Sequence, residues 1–212
     1  MRVFLGVVLA AFACQRTSVS ASQRSDRPAV VFLGDSLTAG QGVARSDAYP
    51  SLIEARMNGA GLRFPVVNAG VPGDTTEDGL ARLEGILRQP VAVLFVAFGA
   101  NDALRFERPP AQIHSNLARI IERGRAAGAG VVLAGMKLPR SFPESYRREF
   151  EEVYPDLARK YSIPLVPFLL EGVGGEPRFN QADGLHPNAE GYRRVADVVW
   201  PVLEPVLRDA AR

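Results

Sequence analysis

Five short apolar runs are spaced along the chain, and longer segments with helical periodicity lie between them. Each run is rich in β-branched or aromatic residues and shows little alternation, as in strands buried on both faces of a sheet. The runs cover residues 29–33, 64–67, 91–98, 131–134 and 165–168. Because strand and helix alternate, the pattern predicts an α/β fold with a parallel sheet and helices on both faces, which is a three-layer α/β/α sandwich.

Four of the intervening segments have apolar residues three or four positions apart, as on the buried face of a helix. Their apolar positions are Tyr49, Leu52, Ile53 and Met57; Leu80, Leu83 and Leu87; Ile113, Leu117, Ile120 and Ile121; and Tyr146, Phe150, Val153, Tyr154, Leu157 and Tyr161. Proline removes a donor from the helical hydrogen-bond ladder. We therefore expect kinks or early helix ends at Pro155, Pro201 and Pro205, which fall inside otherwise helical patterns.

The N-terminal segment has the pattern of an export signal. A basic second residue precedes an apolar run over residues 3–13, and small and polar residues follow. The run is too short to span a bilayer, which takes about 20 apolar residues. Small residues favour cleavage after Ala21. We therefore predict a signal peptide over residues 1–21, a linker over 22–28, one domain over 29–212, and a periplasmic or secreted location.

Cys14 offers the alternative of a lipoprotein anchor. The residues before it only roughly match a lipoprotein box, because Phe12 is bulky and Ala11 replaces the usual branched residue. Membrane contact is expected only if Cys14 is lipidated. Cys14 is the only cysteine of the chain, so cleavage after Ala21 would leave none, which suits an oxidising compartment.

Size and charge fit one globular domain and do not point to nucleic acid. The chain has 212 residues, of which 47% are hydrophobic and 23% charged, enough to bury a core of ordinary size. It carries 25 basic and 23 acidic residues, and the predicted signal peptide contains two of the basic ones. The mature chain would have no net charge. Because it also lacks a basic stripe with interleaved aromatics, we expect no nucleic acid partner.

Small, hydroxyl or amide residues follow the first three predicted strands. The three stretches are GDSL at 34–37, NAGVPGD at 68–74 and GAND at 99–102. Ligands bind at the carboxyl ends of strands in open α/β sheets, so these residues are candidates for a site. Ser36 is the candidate nucleophile, and a serine hydroxyl needs a base that takes its proton.

Histidine is the usual base, and the chain has two. His114 lies in a helical run away from any strand end, which indicates a solvated or partly packed helix residue. His186 precedes Pro187, which suits the first position of a helix, and follows Asp183 by three residues. Asp183 is near enough to accept a hydrogen bond from the ring, although an Asp-x-x-His pair alone is more often a local loop contact or a helix cap.

Three donors are candidates for stabilising a carbonyl oxyanion: the backbone N–H groups of Ser36 and Gly73 and the side-chain amide of Asn101. Each has an alternative, since Gly73 could simply make a turn and Asn101 could cap the next helix. Asp35 is expected to tie the turn around Ser36 through backbone contacts. The stretch DTTE predicts a capping box that begins at Asp74 and opens the next helix.

Four blocks together resemble the GDSL or SGNH hydrolase superfamily, which is named for a Ser, a Gly, an Asn and a His from separate blocks. In this chain the blocks are Gly34-Asp35-Ser36-Leu37, Asn68-x-Gly70-x-x-Gly73-Asp74-Thr75, Gly99-x-Asn101-Asp102 and Asp183-Gly184-x-His186-Pro187-Asn188. They occur in the family's order and at similar spacing. Over about residues 30–207 the chain looks like the subgroup of bacterial thioesterase I, lysophospholipase L1 and arylesterases. Ala100, where many relatives have Gly, and Ala103 are departures that bear on substrate preference.

The resemblance implies an SGNH hydrolase domain with a flavodoxin-like, five-stranded parallel sheet and with no metal or cofactor. It implies Ser36 as nucleophile, His186 as base and Asp183 as the acid that orients it. It also implies an oxyanion hole formed by Ser36, Gly73 and Asn101.

We therefore expect a serine esterase that hydrolyses small-molecule esters and thioesters through an acyl-serine intermediate, with no stable protein partner implied. An apolar groove for the acyl chain is expected to involve Val71, Phe106, Leu138 and Phe142. One alternative is a carbohydrate O-acetylesterase that uses the same site. The other is a non-catalytic, flavodoxin-like module that would bind a phosphate in the first loop.

Overall fold

The computed structural model of the protein describes residues 27–106 and 108–212. The predicted signal peptide over residues 1–21 and Cys14 lie outside these residues, as does most of the predicted linker. Among the helices of the described part, none is both long and apolar enough to cross a membrane.

Five parallel strands form one sheet at the centre of the fold. They are β1 (Ala29–Gly34), β2 (Val66–Gly70), β3 (Val91–Ala97), β4 (Gly130–Ala134) and β5 (Leu165–Val166). Their order across the sheet is β2-β1-β3-β4-β5, so the order reverses between β1 and β3, where α/β proteins bind ligands. Every residue of β1 is buried. The predicted five-stranded parallel sheet is confirmed.

Helices cover the sheet on both sides. They are α1 (Ser36–Ala39), α2 (Tyr49–Gly59), α3 (Thr76–Leu87), α4 (Ala100–Phe106), α5 (Pro110–Ala126), α6 (Glu144–Tyr161) and α7 (Ala189–Ala210), with 3₁₀ turns at Arg45–Asp47 and Pro177–Phe179. α2 packs against α7, and α5 packs against both α3 and α6. These two groups are the outer layers of the predicted α/β/α sandwich, and a continuous apolar core joins them to the sheet.

Two helices continue through prolines that were expected to kink them or to end them early. α6 includes Pro155, and α7 includes Pro201 and Pro205, so the predicted early helix ends are wrong. Pro201 and Pro205 lie on the exposed side of α7, where water can satisfy the carbonyl groups that lose a donor. The opposite side is fully buried at Val199 and Leu203. Burial of that face stabilises the helix across its prolines.

Two strands also differ from the prediction by more than one residue at an end. β2 covers Val66–Gly70 rather than 64–67, because Pro65 has no N–H and β2 pairs residue by residue with β1 up to its last glycine. β5 has only two residues and ends before Pro167. The shift of β2 places the polar residue Asn68 inside the sheet, opposite Phe32 of β1.

Candidate active site

The turn after β1 places Ser36 at the first position of α1. Asp35 caps this short helix, and its Oδ1 accepts a hydrogen bond from the Leu37 N–H at 3.0 Å. Gly34 has no room for a side chain, because a Cβ there would lie 2.1 Å from the hydroxyl oxygen of Thr38. The expectation that Asp35 ties this turn through backbone contacts is confirmed.

His186 and Asp183 lie in the loop before α7, whose N-cap is Asn188. Asp183 Oδ2 lies 2.7 Å from His186 Nδ1, and Asp183 Oδ1 accepts hydrogen bonds from the N–H groups of Leu185 at 2.9 Å and His186 at 3.0 Å. The hydrogen bonds from the His186 N–H and ring, and then from Leu185, lower the pKa of Asp183 to about 2. At neutral pH Asp183 is therefore a carboxylate, and it lies within hydrogen-bond distance of the imidazole ring.

The imidazole ring of His186 lies beside the hydroxyl group of Ser36. His186 Nε2 lies 2.9 Å from Ser36 Oγ, although the two residues are 150 positions apart. When the Nδ1–H of His186 donates to the Asp183 carboxylate, Nε2 carries a lone pair and can take the hydroxyl proton of Ser36. This geometry can activate a serine for attack on a carbonyl carbon.

The three candidate oxyanion donors border the same cavity as the serine hydroxyl. Gly73 has a φ of 88°, in the region that favours glycine. The Nδ2 of Asn101 donates to the Asp74 carbonyl at 2.9 Å and lies 3.5 Å from Asp35 Oδ2. Asn101 is inside α4 rather than at its cap. Its amide is thus held by the turns that follow β1 and β2.

The predicted capping box is displaced by one residue. Thr75, not Asp74, caps α3, and its backbone N–H donates to Asp78 Oδ2 at 2.9 Å. Asp74 instead binds Arg82, whose Nε lies 2.7 Å from Asp74 Oδ2 and whose Nη2 donates to the Gly34 carbonyl at 3.1 Å. Arg82 therefore joins the loop after β2 to the end of β1, and this ion pair takes Asp74 away from the cap.

Two aspartates at or near the site, Asp35 and Asp102, are buried, and sequence reasoning missed their burial. Burial raises the pKa of Asp35 to about 7, although the hydrogen bond from Leu37 and the nearby His186 lower it. Asp102 is fully buried, and burial raises its pKa too. Asp102 accepts hydrogen bonds from the Thr76 N–H at 2.9 Å and hydroxyl at 2.6 Å. For Asp35, its position directly after the buried strand β1 was the available signal.

A cavity of about 790 Å³ opens beside Ser36 and His186. Its apolar wall is formed by Leu104, Met136, Leu138, Phe168, Leu170 and Leu185. Its cationic side chains are Arg105, Lys137 and Arg140. Among the described residues that line it, the buried Asp35 supplies the one carboxyl group. The cavity thus offers apolar surface beside the serine and positive charge on its walls.

Of the four residues expected to form an apolar groove, Leu138 lines this cavity. Val71 is exposed on the surface, and Phe142 packs against the core with its ring stacked on Tyr146 at 6.2 Å, so these two lie outside the wall. Phe106 ends α4, and its side chain is not part of the described structure.

The other residues considered from the sequence fall into three places. Ala100 lines the cavity, whereas Ala103 is buried in the core. His114 is partly buried in α5 and does not line the cavity, as interpreted from its helical run. Within residues 27–106 and 108–212, no group of three His, Cys, Asp or Glu side chains is arranged to hold a metal ion.

Comparison with known proteins identifies the family. Residues 32–194, more than half of the chain, match the model of the GDSL-like lipase/acylhydrolase family. The chain belongs to this family. The predicted resemblance to GDSL hydrolases is therefore confirmed. The protein is a hydrolase rather than a non-catalytic, flavodoxin-like binding module.

Relatives of this GDSL-family hydrolase match it along most of its length. Esterase TesA of Pseudomonas aeruginosa is 38% identical over 187 residues, which cover 88% of this chain and 92% of that protein. Thioesterase 1/protease 1/lysophospholipase L1 of Escherichia coli strain K12 is 37% identical over 180 residues, 84% of each chain. A crystal structure of TesA matches with a TM-score of 0.81 at 39% identity, over 84% of this chain and 99% of that one.

Proposed function

We propose that this hydrolase is a serine esterase that acts on carboxylic esters and thioesters of acyl chains. Ser36 is the nucleophile, His186 is the base that takes its proton, and Asp183 orients the ring. The observation that carries the proposal is the 2.9 Å contact between Ser36 Oγ and His186 Nε2. The 2.7 Å contact between His186 Nδ1 and Asp183 Oδ2 extends it.

In the first half of the reaction, Ser36 Oγ attacks the carbonyl carbon while His186 takes the hydroxyl proton. The carbonyl oxygen becomes an oxyanion, which the N–H groups of Ser36 and Gly73 and the Nδ2 of Asn101 stabilise. The C–O or C–S bond then breaks, and His186 gives its proton to the leaving alcohol or thiol. The product is an acyl ester on Ser36.

In the second half, water replaces the leaving group. His186 removes a proton from water, the oxygen attacks the acyl carbon, and the same donors stabilise the second oxyanion. Collapse releases the carboxylic acid, and His186 returns the proton to Ser36 Oγ. The ionised Asp183 stabilises the imidazolium that forms in each half.

The apolar wall of the cavity supports acyl chains as the part of the substrate that the site recognises. Leu104, Met136 and Leu138 offer surface that an alkyl chain can cover, which is favourable in proportion to the apolar area removed from water. The names of the relatives, an esterase and a thioesterase/lysophospholipase, support the same substrate class. A carbohydrate O-acetylesterase is less well supported, because an acetyl group is too short to cover most of this apolar wall.

Substitution of the nucleophile tests the proposal. Ser36→Ala should reduce turnover of a p-nitrophenyl ester by at least about a thousandfold, because no other hydroxyl is placed beside His186 in the proposed mechanism. Ser115→Ala, at an exposed position of α5, is the matched control and should keep full activity. Circular dichroism should show the same fold for both variants. Substantial turnover by folded Ser36→Ala would overturn the proposal.

Export is the proposed route of the protein to its place of action. The apolar run over residues 3–13 and the small residues up to Ala21 support a signal peptide and a periplasmic or secreted enzyme. Lipidation of Cys14 is the alternative, and it would anchor the enzyme to a membrane. The mass of the exported protein distinguishes the two.

A further inference from the structure

The loop that carries His186 is irregular, yet the proposed reaction requires a well-defined distance between the His186 ring and the Ser36 hydroxyl. We define the His186 loop as residues 180–188, which form turns and one isolated antiparallel bridge between Asn180 and Pro187. A displacement of about 1 Å at a reacting group can cost on the order of a hundredfold in rate. A contact that fixes this loop against the Ser36 turn would therefore matter for turnover.

We propose that Gln181 is a positioning residue for ester hydrolysis, which holds the His186 loop at its working distance from the Ser36 turn. The inference rests on the proposed function. Gln181 does not line the cavity, so it acts through the residues that it binds rather than by touching the substrate.

A path of hydrogen bonds joins the two proposed catalytic residues through Gln181. The Gln41 N–H donates to the Ser36 carbonyl at 3.1 Å. Gln181 Nε2 donates to the Gln41 carbonyl at 2.7 Å, and the Gln181 N–H donates to the His186 carbonyl at 2.8 Å. Only two residues therefore separate the backbone of the nucleophile from the backbone of the base along this path.

The same amide nitrogen also binds the residue after the base. Gln181 Nε2 donates to the Pro187 carbonyl at 2.9 Å, so its two acceptors lie on the two segments that have to be held together. The Gln181 carbonyl in turn accepts the Gly184 N–H at 3.0 Å, which closes the turn that contains Asp183. An amide nitrogen with two hydrogens suits this pair of carbonyl acceptors.

Gly42 provides the space that the amide occupies. It has a φ of 81°, and a Cβ at this position would lie 2.0 Å from Gln181 Oε1. A side chain at Gly42 would therefore push the amide away from the Gln41 carbonyl. Close packing on one side and two hydrogen bonds on the other leave the Gln181 side chain little freedom.

The first test compares two substitutions of Gln181 in the full-length enzyme. Gln181→Ala removes both hydrogen bonds and should lower kcat for a p-nitrophenyl ester about 10- to 100-fold, with KM within about twofold of the wild-type value. Gln181→Glu keeps the shape but turns an oxygen toward the carbonyls of Gln41 and Pro187. It should lose at least as much kcat, whereas a residue that only fills space would tolerate glutamate.

Gln112→Ala is the matched control, because Gln112 is an exposed glutamine in α5. It should keep the wild-type kcat and KM. If Ser36→Ala is inactive while Gln181→Ala and Gln181→Glu both keep wild-type kcat, this inference is wrong and the proposed function stands. If Ser36→Ala remains active, the proposed function itself fails. Should Gln181→Ala not fold, the kcat of the isosteric Gln181→Glu decides.

A double-substitution cycle gives a readout that a general loss of stability would not produce. Gly42→Ala should lower kcat because its methyl group displaces the Gln181 amide, in addition to any strain from its positive φ. In the Gln181→Ala background the amide is gone, so Gly42→Ala should cost less in kcat there. Equal fold-losses in the two backgrounds would contradict the proposed contact.

Discussion

At the scale of single residues, Asp35 is a carboxyl group enclosed by protein next to the proposed nucleophile. Only 1% of the residue is exposed, and burial raises its pKa to about 7. Its surroundings include His186, which favours the charged form, and Asp102, which opposes it. Tyr49 and Tyr192 are also close enough for its charge to influence their pKa values. The protonation of Asp35 therefore makes the free energy of unfolding depend on pH.

Asp35→Asn should change how stability depends on pH. Between about pH 4 and pH 7 the folded state keeps a proton at Asp35 that the unfolded state has lost, so the free energy of unfolding decreases as the pH rises through this window. Asparagine cannot titrate, and its Oδ1 can still accept the Leu37 N–H. Urea unfolding at several pH values should show a steeper decline for the wild-type protein than for the variant.

Asp209→Asn controls for this substitution, because Asp209 is exposed near the end of α7. Its urea midpoints should follow those of the wild-type protein across the same pH range. Parallel curves for Asp35→Asn and the wild-type protein would show that Asp35 does not take up a proton on folding.

Residue types that carry chemistry were easier to predict than residues that line a cavity. Ser36 and His186 could be singled out because each stands beside a turn or helix start that limits where the backbone can go. Val71 and Phe142 were expected in a groove, but Phe142 is held by Tyr146 and the core. Where a loop side chain points depends on packing against distant elements, which a single sequence does not record.

At the scale of elements, α1 sits directly on the end of β2. A Cβ at Gly70 would lie 2.2 Å from the backbone nitrogen of Ala39 and 2.7 Å from the carbonyl carbon of Thr38. Asn68 Nδ2 donates to the Thr38 carbonyl at 2.8 Å, and Asn68 Oδ1 accepts the Gly70 N–H at 3.0 Å. These contacts fix the position of α1, the short helix that begins with Ser36, relative to the end of β2.

Gly70→Ala should therefore displace α1. The added methyl group meets backbone rather than a movable side chain, and we expect a loss of about 1 to 3 kcal/mol in the free energy of unfolding. Ester hydrolysis should fall at the same time, because Ser36 moves with α1. Gly85→Ala is the control, since nothing lies within 4 Å of a Cβ there and alanine is the better helix former by up to about 1 kcal/mol.

If this packing is correct, urea unfolding should show a lower free energy of unfolding for Gly70→Ala and an equal or higher one for Gly85→Ala. The Gly85→Ala protein should be at least as stable as the wild-type protein and equally active. A Gly70→Ala protein with wild-type stability and turnover would mean that the end of β2 does not support α1.

Elements were predictable where one local rule dominated. The apolar periodicity located the helices around Ile113 and Phe150, because each has to bury one face. The rule that proline ends a helix failed at Pro201 and Pro205, where the exposure of the prolines and the burial of the opposite face outweigh the lost donors. The capping-box pattern failed at Asp74, because this residue forms an ion pair with Arg82 from the second turn of α3, which the pattern does not include.

At the scale of the whole molecule, the cavity is assembled from most of the length of the described chain. Its lining begins at Asp35 and ends at His186, with the apolar wall contributed by α4, the segment after β4, the segment after β5 and the His186 loop. The number of strands and the three layers could be predicted, because five buried runs alternate with helices. The composition of the wall could not, because it depends on how these distant segments meet.

Acyl chain length is the property that this wall should control. Each CH₂ group buried against it contributes up to about 0.8 kcal/mol, or roughly fourfold in kcat/KM. We expect kcat/KM for p-nitrophenyl esters to rise from acetyl to medium-length chains. Leu138→Ser should reduce that rise while leaving hydrolysis of the acetyl ester nearly unchanged.

Val71→Ser is the comparison for this series, because Val71 is exposed and lies outside the wall. It should leave the dependence on chain length unaltered. A steep preference of the wild-type enzyme for acetyl esters would instead favour the carbohydrate O-acetylesterase alternative.

The separation of 150 positions between Ser36 and His186 has a consequence for how the enzyme is made. A ribosome makes the nucleophile 150 residues before the base, and chains generally begin to fold from the N-terminus. An incomplete chain that already contains β1 and α1 would still lack its proton acceptor. Under the proposed mechanism, the newborn protein cannot attack the acyl esters around it until the segment that contains His186 has also been made.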